Sequence, residues 1–209
     1  MIADWEKNEI FVSSLLKEWS KLEYINIQKL LTKHFIELKT IKQTKDVWAR
    51  DYMPIQISKE EYIQFRYEPD YLDGYDEQRT IPSEIELLSK YPIQISNINL
   101  DGGNIVCAEN KVILTDRVLI ENPSLSKKEI KNELTRLLKA EVYFVPAIKS
   151  DMTGHIDGHL RFIDNETVIV NQLDKEYQYW QKGFLDMIQD SGLKYVEMPW
   201  YEVKKDSTR

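Results

Sequence analysis

Three short stretches of this chain concentrate polar side chains within otherwise apolar sequence, and each stands just before, or opens, a pair of strand-like runs. They are Trp48-Ala49-Arg50-Asp51-Tyr52-Met53-Pro54, Asn99-Leu100-Asp101-Gly102-Gly103-Asn104 and Thr153-Gly154-His155-Ile156-Asp157-Gly158-His159. In the third, His155 and Asp157 lie two residues apart. An extended segment points such a pair to one face, and the flanking glycines let a ligand approach the backbone. A histidine beside a carboxylate suits general acid–base work; a surface His and Asp at a glycine turn reads the same way. His159 would share that face. Together, His155, Asp157 and His159 form a partial ligand set for zinc or another divalent ion, which keeps a metal-dependent hydrolase open as an alternative.

Arg50 and Asp51 are adjacent opposite charges, and on a strand such neighbours point different ways. With Trp48 as a rigid apolar wall, the Asp51 carboxylate would suit a planar cation, which takes charge-assisted hydrogen bonds at its edge and stacks with its face. The bland alternative is a core tryptophan with an ion pair at its rim. The Leu100-Asp101-Gly102-Gly103-Asn104 run is too short for a dinucleotide fingerprint and lacks the lysine of a phosphate loop. Asp101 could offer a carboxylate or cap a turn. Cys107 alternates with Ile105 inside the following run and reads as a small buried apolar residue.

The elements around these stretches repeat. Residues 102–116 and 158–171 each have a glycine-marked start, a short strand, an acidic-Asn turn and a β-branched strand. Behind the first, Ser126 and Glu129 form a capping box, with Ile130, Leu134, Leu137 and Leu138 on one helical face, then a strand at 142–145. Behind the second, Tyr177, Trp180, Phe184 and Ile188 mark a helix closed at Ser191-Gly192, and a strand at 194–198 follows. An earlier copy pairs 54–57 with 62–65, then places a helix capped by Ser83 and a strand at 93–95. The N-terminal part supplies a fragment: strands at 10–12 and 38–41 around a helix at 25–35. The plan is β-β-α-β, repeated. Units of this kind can pack about an axis with strand ends gathered at the centre, or lie in an ordinary mixed sheet.

With 209 residues, 42% of them hydrophobic, the chain can bury a core without metals or disulfides. A net charge of −7, with no run of basic residues, argues against nucleic-acid binding and suits a cationic partner. Cys107 is the sole cysteine, which excludes an intrachain disulfide and a thiolate-rich zinc site. No apolar run approaches the ~20 residues that span a bilayer, and the N-terminus has no signal-peptide pattern. A cytoplasmic protein is expected, with no membrane or nucleic-acid partner.

In this order, Trp48-x-Arg50-Asp51 with Pro54, the Asp101-Gly102-Gly103-Asn104 turn and Gly154-His155-x-Asp157 resemble the landmarks of the agmatine deiminase family and its bacterial peptidylarginine-deiminase-like relatives. Asp4-Trp5 and Pro69-Asp70-Tyr71-Leu72 add to a likeness that covers nearly the whole chain. The resemblance implies an α/β fold, a propeller-like ring of five ββαβ units (the pentein fold), with residues 1–209 as a single domain. It further implies a hydrolase acting on the C–N bond of a linear amidine. The substrate would be a small cationic guanidino compound such as agmatine, arginine or peptidyl-arginine, and the setting putrescine and polyamine synthesis. Ammonia leaves through a thiouronium intermediate on cysteine, with no metal or organic cofactor. By the match, Asp51 and Asp157 would hold the guanidinium nitrogens and His155 would carry the proton. Trp48, Arg50, Asp101, Gly102 and Asn104 would line the substrate site. The chain departs from the pattern in one respect. The family's nucleophilic cysteine lies in a last, C-terminal unit, and residues 204–209 stand where a further unit would begin. The expectation is therefore a deiminase lacking its last unit, or a non-catalytic guanidinium-binding remnant. An open ring of this kind would favour homo-oligomers through its unpaired edges.

Overall fold

The structure, a computed structural model, describes residues 1–7 and 9–199. Strand β1 (Ile10–Ser13) leads into helices α1 (Leu16–Trp19) and α2 (Lys21–Lys33) and returns as β2 (Leu38–Ile41), parallel to β1. A parallel return needs a crossover, which the helices supply. Helix α2 has no buried residue, and Leu22 and Leu30 stay exposed on it.

Three further sheets share one layout. A short helix α3 (Ala49–Tyr52) precedes β3 (Ile55–Gln56), β4 (Tyr62–Arg66) and β5 (Ile93–Asn99). Next come β6 (Val106–Cys107), β7 (Lys111–Thr115), α4 (Arg117–Ile120), α5 (Lys127–Leu138) and β8 (Glu141–Val145). Last come β9 (Leu160–Phe162), β10 (Thr167–Asn171), α6 (Gln178–Ser191) and β11 (Lys194–Met198). In each sheet the first two strands pair antiparallel as a hairpin and the third joins the second in parallel. The expected β-β-α-β plan is plain in the last two. The first of the three departs from it. Residues 82–90 form two 3-10 turns, Pro82–Glu84 and Glu86–Lys90, in place of a helix capped by Ser83. Pro92 favours extended backbone at the residue before it, and Tyr91 is extended there, so the segment ends at Lys90.

Local signals explain the long helices. Ser126 Oγ accepts from Glu129 N at 3.3 Å, and Ser126 N donates to Glu129 Oε2 at 2.8 Å, so α5 opens on the capping box read from sequence. Its Ile130, Leu134, Leu137 and Leu138 are all buried. Three apolar clusters fill the seams between consecutive sheets. Ile41, Tyr52 and Leu88 join the first to the second. Ile63, Phe65, Leu114 and Leu134 join the second to the third, and Ile113, Val145, Val168, Trp180 and Phe184 join the third to the fourth. Packing sheet against sheet in this way brings together the turns ahead of β3, β6 and β9, which carry the three polar stretches.

No helix among the described residues is long and apolar enough to cross a membrane. Residues 204–209, where a further unit is expected to begin, lie outside the described residues.

Candidate active site

The turn carrying Trp48 and Asp51 is held from behind. Asp46 accepts from Trp48 N at 2.7 Å through one oxygen and from Thr80 Oγ1 at 2.9 Å through the other, and α3 starts from that fixed point. Asp51 Oδ1 then accepts from Gly103 N at 3.0 Å. Arg50 goes the other way. Its Nε donates to Gly102 O at 2.8 Å and its Nη2 to Ile105 O at 2.6 Å, while Nη1 lies 3.6 Å from Asp4 Oδ1. The adjacent opposite charges therefore split, the cation bracing the next turn and the carboxylate meeting Gly103 N and His155.

Glycine is required at both positions of that turn. A Cβ on Gly102 would lie 2.0 Å from Arg50 O, and one on Gly103 would lie 2.4 Å from His155 Nδ1 and 2.5 Å from Asp51 Oδ1. No side chain fits such gaps, so the glycine pair sets how closely Asp51 and His155 approach.

His155 is buried, and its Nε2 lies 2.9 Å from Asp101 Oδ2. An ionised carboxylate only accepts, so this contact places the neutral ring's proton on Nε2 and leaves Nδ1, 3.7 Å from Asp51 Oδ1, to exchange protons. Tyr71 O–H also donates to Asp101 Oδ2, at 2.8 Å, and its ring meets the imidazole edge-on. The backbone bearing His155 is fixed by Thr115 Oγ1 donating to Gly154 O at 2.6 Å, and Thr115 N donates to Asn104 Oδ1 at 2.9 Å.

Burial works against charge on His155, but the Asp101 hydrogen bond and the charges of Asp51, Asp101 and Asp157 outweigh it, so the imidazole titrates above its ordinary value. Burial pushes Asp51 up to about 6; Asp101 and Asp157 add to the rise, and His155 and the Gly103 N–H oppose it. Burial, then Asp101, raises the Tyr71 hydroxyl far above its usual range, so it stays a donor.

Asp51, His155 and Asp157 open onto one cavity of about 630 Å³, walled by Trp48, Tyr67, Tyr71, Leu72, Tyr75 and Met152. Asp157 Oδ2 accepts from Arg161 Nη2 at 3.1 Å. A lining that combines acids with aromatic side chains suits a flat cation.

Several sequence expectations need correction. Residues Ile156–Gly158 form a 3-10 turn, so His155, Asp157 and His159 do not share a strand face. His159 packs on Trp180 instead, 3.7 Å from both Asp151 and Glu176. Among the described residues no group of three or more His, Cys, Asp or Glu side chains is arranged to hold a metal ion. Arg50 lines the cavity as expected, but its guanidinium is committed to carbonyls, and Gly102, also expected at the ligand, is packed against Arg50 O. The Asn104 side chain is spent on Thr115. Cys107 is buried as expected, with Sγ 3.4 Å from both Ile2 O and Asp4 Oδ1; burial, then Asp4, pushes the thiol up to about 12.

Sequence reasoning gave no role to Tyr71, Asp46 or Thr115. Asp46 was findable, since an Asp two residues ahead of a turn start is a capping signal. Thr115 sits in an apolar strand and gave none.

A model of the Porphyromonas-type peptidyl-arginine deiminase family matches residues 1–195. No curated protein matches the chain in sequence. Among solved structures, a cysteine-to-serine agmatine deiminase of C. jejuni with substrate bound superposes with a TM-score of 0.71 at 17% identity, covering 100% of this chain and 76% of that one. The agmatine deiminase of Enterococcus faecalis gives 0.70 at 16%, covering 97% and 72%. DDAH from Pseudomonas aeruginosa, a cysteine-to-serine mutant complexed with citrulline, gives 0.57 at 12%, covering 92% and 77%. At these identities the likeness establishes the α/β pentein fold.

Proposed function

The chain belongs to the Porphyromonas-type peptidyl-arginine deiminase family, and on that premise we propose that its cavity binds a guanidinium group between Asp51 and Asp157, with His155 as the proton carrier. The observation that carries this reading is the crowding of Asp51, Asp101 and Asp157 around His155, which lines an aromatic-walled cavity. Burial and mutual repulsion disfavour charge on Asp51 in the empty site, and a bound cation relieves both. Fixing a guanidinium between carboxylates also localises its delocalised charge and orients its carbon for attack. The reaction of the class converts a guanidino group and water into a ureido group and ammonia. The proton must reach the departing nitrogen and then be withdrawn from water, a transfer we assign to His155 Nδ1, 3.7 Å from Asp51 Oδ1.

A covalent route needs a thiolate, and these residues provide none at the cavity. Cys107 is the sole cysteine, faces Ile2 and Asp4, and is held protonated. We read residues 1–209 as one cytoplasmic domain that holds the binding pocket and proton carrier of a ring of ββαβ units, and that alone binds a small guanidino compound such as agmatine without turning it over.

Titration calorimetry with methylguanidine, agmatine and arginine tests this. Charge-assisted bonds contribute roughly 1.5–3 kcal/mol each. Removing Asp51 or Asp157 as Asn should therefore weaken binding about 10- to 100-fold. Absence of binding by the parent at pH 8, or equal binding by both variants, overturns the reading. Release of ammonia by the 209-residue chain overturns the part concerning the nucleophile.

A further inference from the structure

On Asp101 and two further residues that are not among those lining the cavity, three buried polar atoms meet no hydrogen-bond partner: Asp101 Oδ1, Glu121 Oε1 and Arg117 Nε. Bare buried groups are rare and costly, and three on neighbouring residues mark one shared feature. Arg117 Nε lies 3.6 Å from Glu121 Oε1, and Arg117 Nη2 reaches Asp70, the residue before Tyr71. The segments bearing the two carboxyls are clamped together. Asn99 N donates to Asn122 Oδ1 at 2.9 Å, and Asn122 Nδ2 donates to Asn99 O at 2.8 Å, two residues before Asp101 and one after Glu121.

We propose that Glu121, with Arg117 as its counter-charge, is a positioning residue that sets how readily His155 takes a proton, acting through Asp101. The inference rests on His155 being the proton carrier. Asp101 is the natural intermediary: one oxygen serves His155 and Tyr71, and the other has no hydrogen-bond partner. Negative charge on Glu121 repels the Asp101 charge, and a protonated imidazole screens that charge best. Burial first, and Asp101 second, push the Glu121 carboxyl up to about 7 against the pull of Arg117, so it changes charge where the site would work. The groups facing His155 are Asp51 from α3, Asp101 and Tyr71 behind the ring, and Asp157 on its own turn; those facing Glu121 are Arg117, Asp101 and Asp70.

The test is the titration of the His155 ring by NMR in the 209-residue protein, assigned by its disappearance in His155→Asn. Glu121→Gln keeps the shape and copies the neutral carboxyl. It should lower the His155 midpoint by about half a pH unit, with the curves meeting at low pH. Glu121→Asp keeps the charge and should leave the midpoint near the parent value. A fall in Glu121→Gln that is absent in Glu121→Asp is the signature, because the shorter side chain disturbs packing more than the isosteric amide does. If Glu121→Gln does not fold, Glu121→Met, which leaves no bare polar atom there, takes its place. An unmoved His155 midpoint in the folded neutral variants overturns the proposal, as does a fall in Glu121→Asp equal to that in Glu121→Gln. Guanidinium binding is measured separately and weakens with Asp51→Asn whatever Glu121 does, so failure of one reading is distinguishable from failure of the other.

Discussion

Replacing Asp51 with Asn should make the empty protein more stable while destroying its proposed ligand site. Asp51 titrates at about 6 in the folded chain, pushed there by burial and then by the other acids. In an unfolded chain it titrates near 3.9. The raised value means the folded state holds the proton more tightly, so stability falls as pH climbs from about 4 to about 6 and stays reduced above that. Two units at about 1.4 kcal/mol each give a cost of about 3 kcal/mol at pH 8. Asn carries no charge and its Oδ1 can still accept from Gly103 N, so most of that cost should vanish. Urea unfolding at pH 4 and pH 8 measures it. The variant should gain about 1–3 kcal/mol over the parent at pH 8, and little at pH 4, where the parent's Asp51 is already protonated. A variant less stable at pH 8, or a gap equal at both values, would refute the idea that the empty site stores repulsion.

Three further outcomes follow from the same geometry. Guanidinium affinity should drop about tenfold per pH unit below about 6, because the proton on Asp51 competes with the ligand; calorimetry from pH 8 to pH 5 checks the slope. Gly103→Ala places a methyl where 2.4 Å separates it from His155 Nδ1; the folded variant should lose guanidinium binding while circular dichroism keeps its helix signal. Leu134→Ala, in the buried face of α5, should cost about 2–5 kcal/mol by urea unfolding without touching affinity.

What could be read in the sequence was what local chemistry decides. The capping box at Ser126 and Glu129 set the start of α5 because both partners lie within one turn of each other. The three polar stretches were legible as a set, since each leads into a hairpin and consecutive sheets stack. Sequence could not say which polar atoms would be consumed by the scaffold. Asn104 looks like a ligand-binding amide until Thr115, eleven residues on at the end of β7, takes its oxygen. His159 shares the spacing of His155 and Asp157, but a 3-10 turn between them breaks the period-two argument and Trp180 takes the ring. Tyr71 and Glu121 act across long separations, and no short window contains their partners.

The division of labour between Arg50 and Asp51 explains how an acidic site survives in a folded chain. Neighbouring opposite charges could neutralise each other at the surface; here three features prevent it. The Asp46 turn fixes the start of α3, the Gly102 and Ile105 carbonyls hold the guanidinium, and the Gly103 N–H holds the carboxylate. Arg117 is likewise turned toward Asp70 and Glu121. The scaffold thus spends these two arginines on backbone and other acids, and leaves Asp51 to be balanced by His155 or by a guest. The proposed guest, a guanidinium, would meet that need, and adjacent Arg50 shows the same chemistry: its planar fork is already satisfied by carbonyls at 2.6 and 2.8 Å.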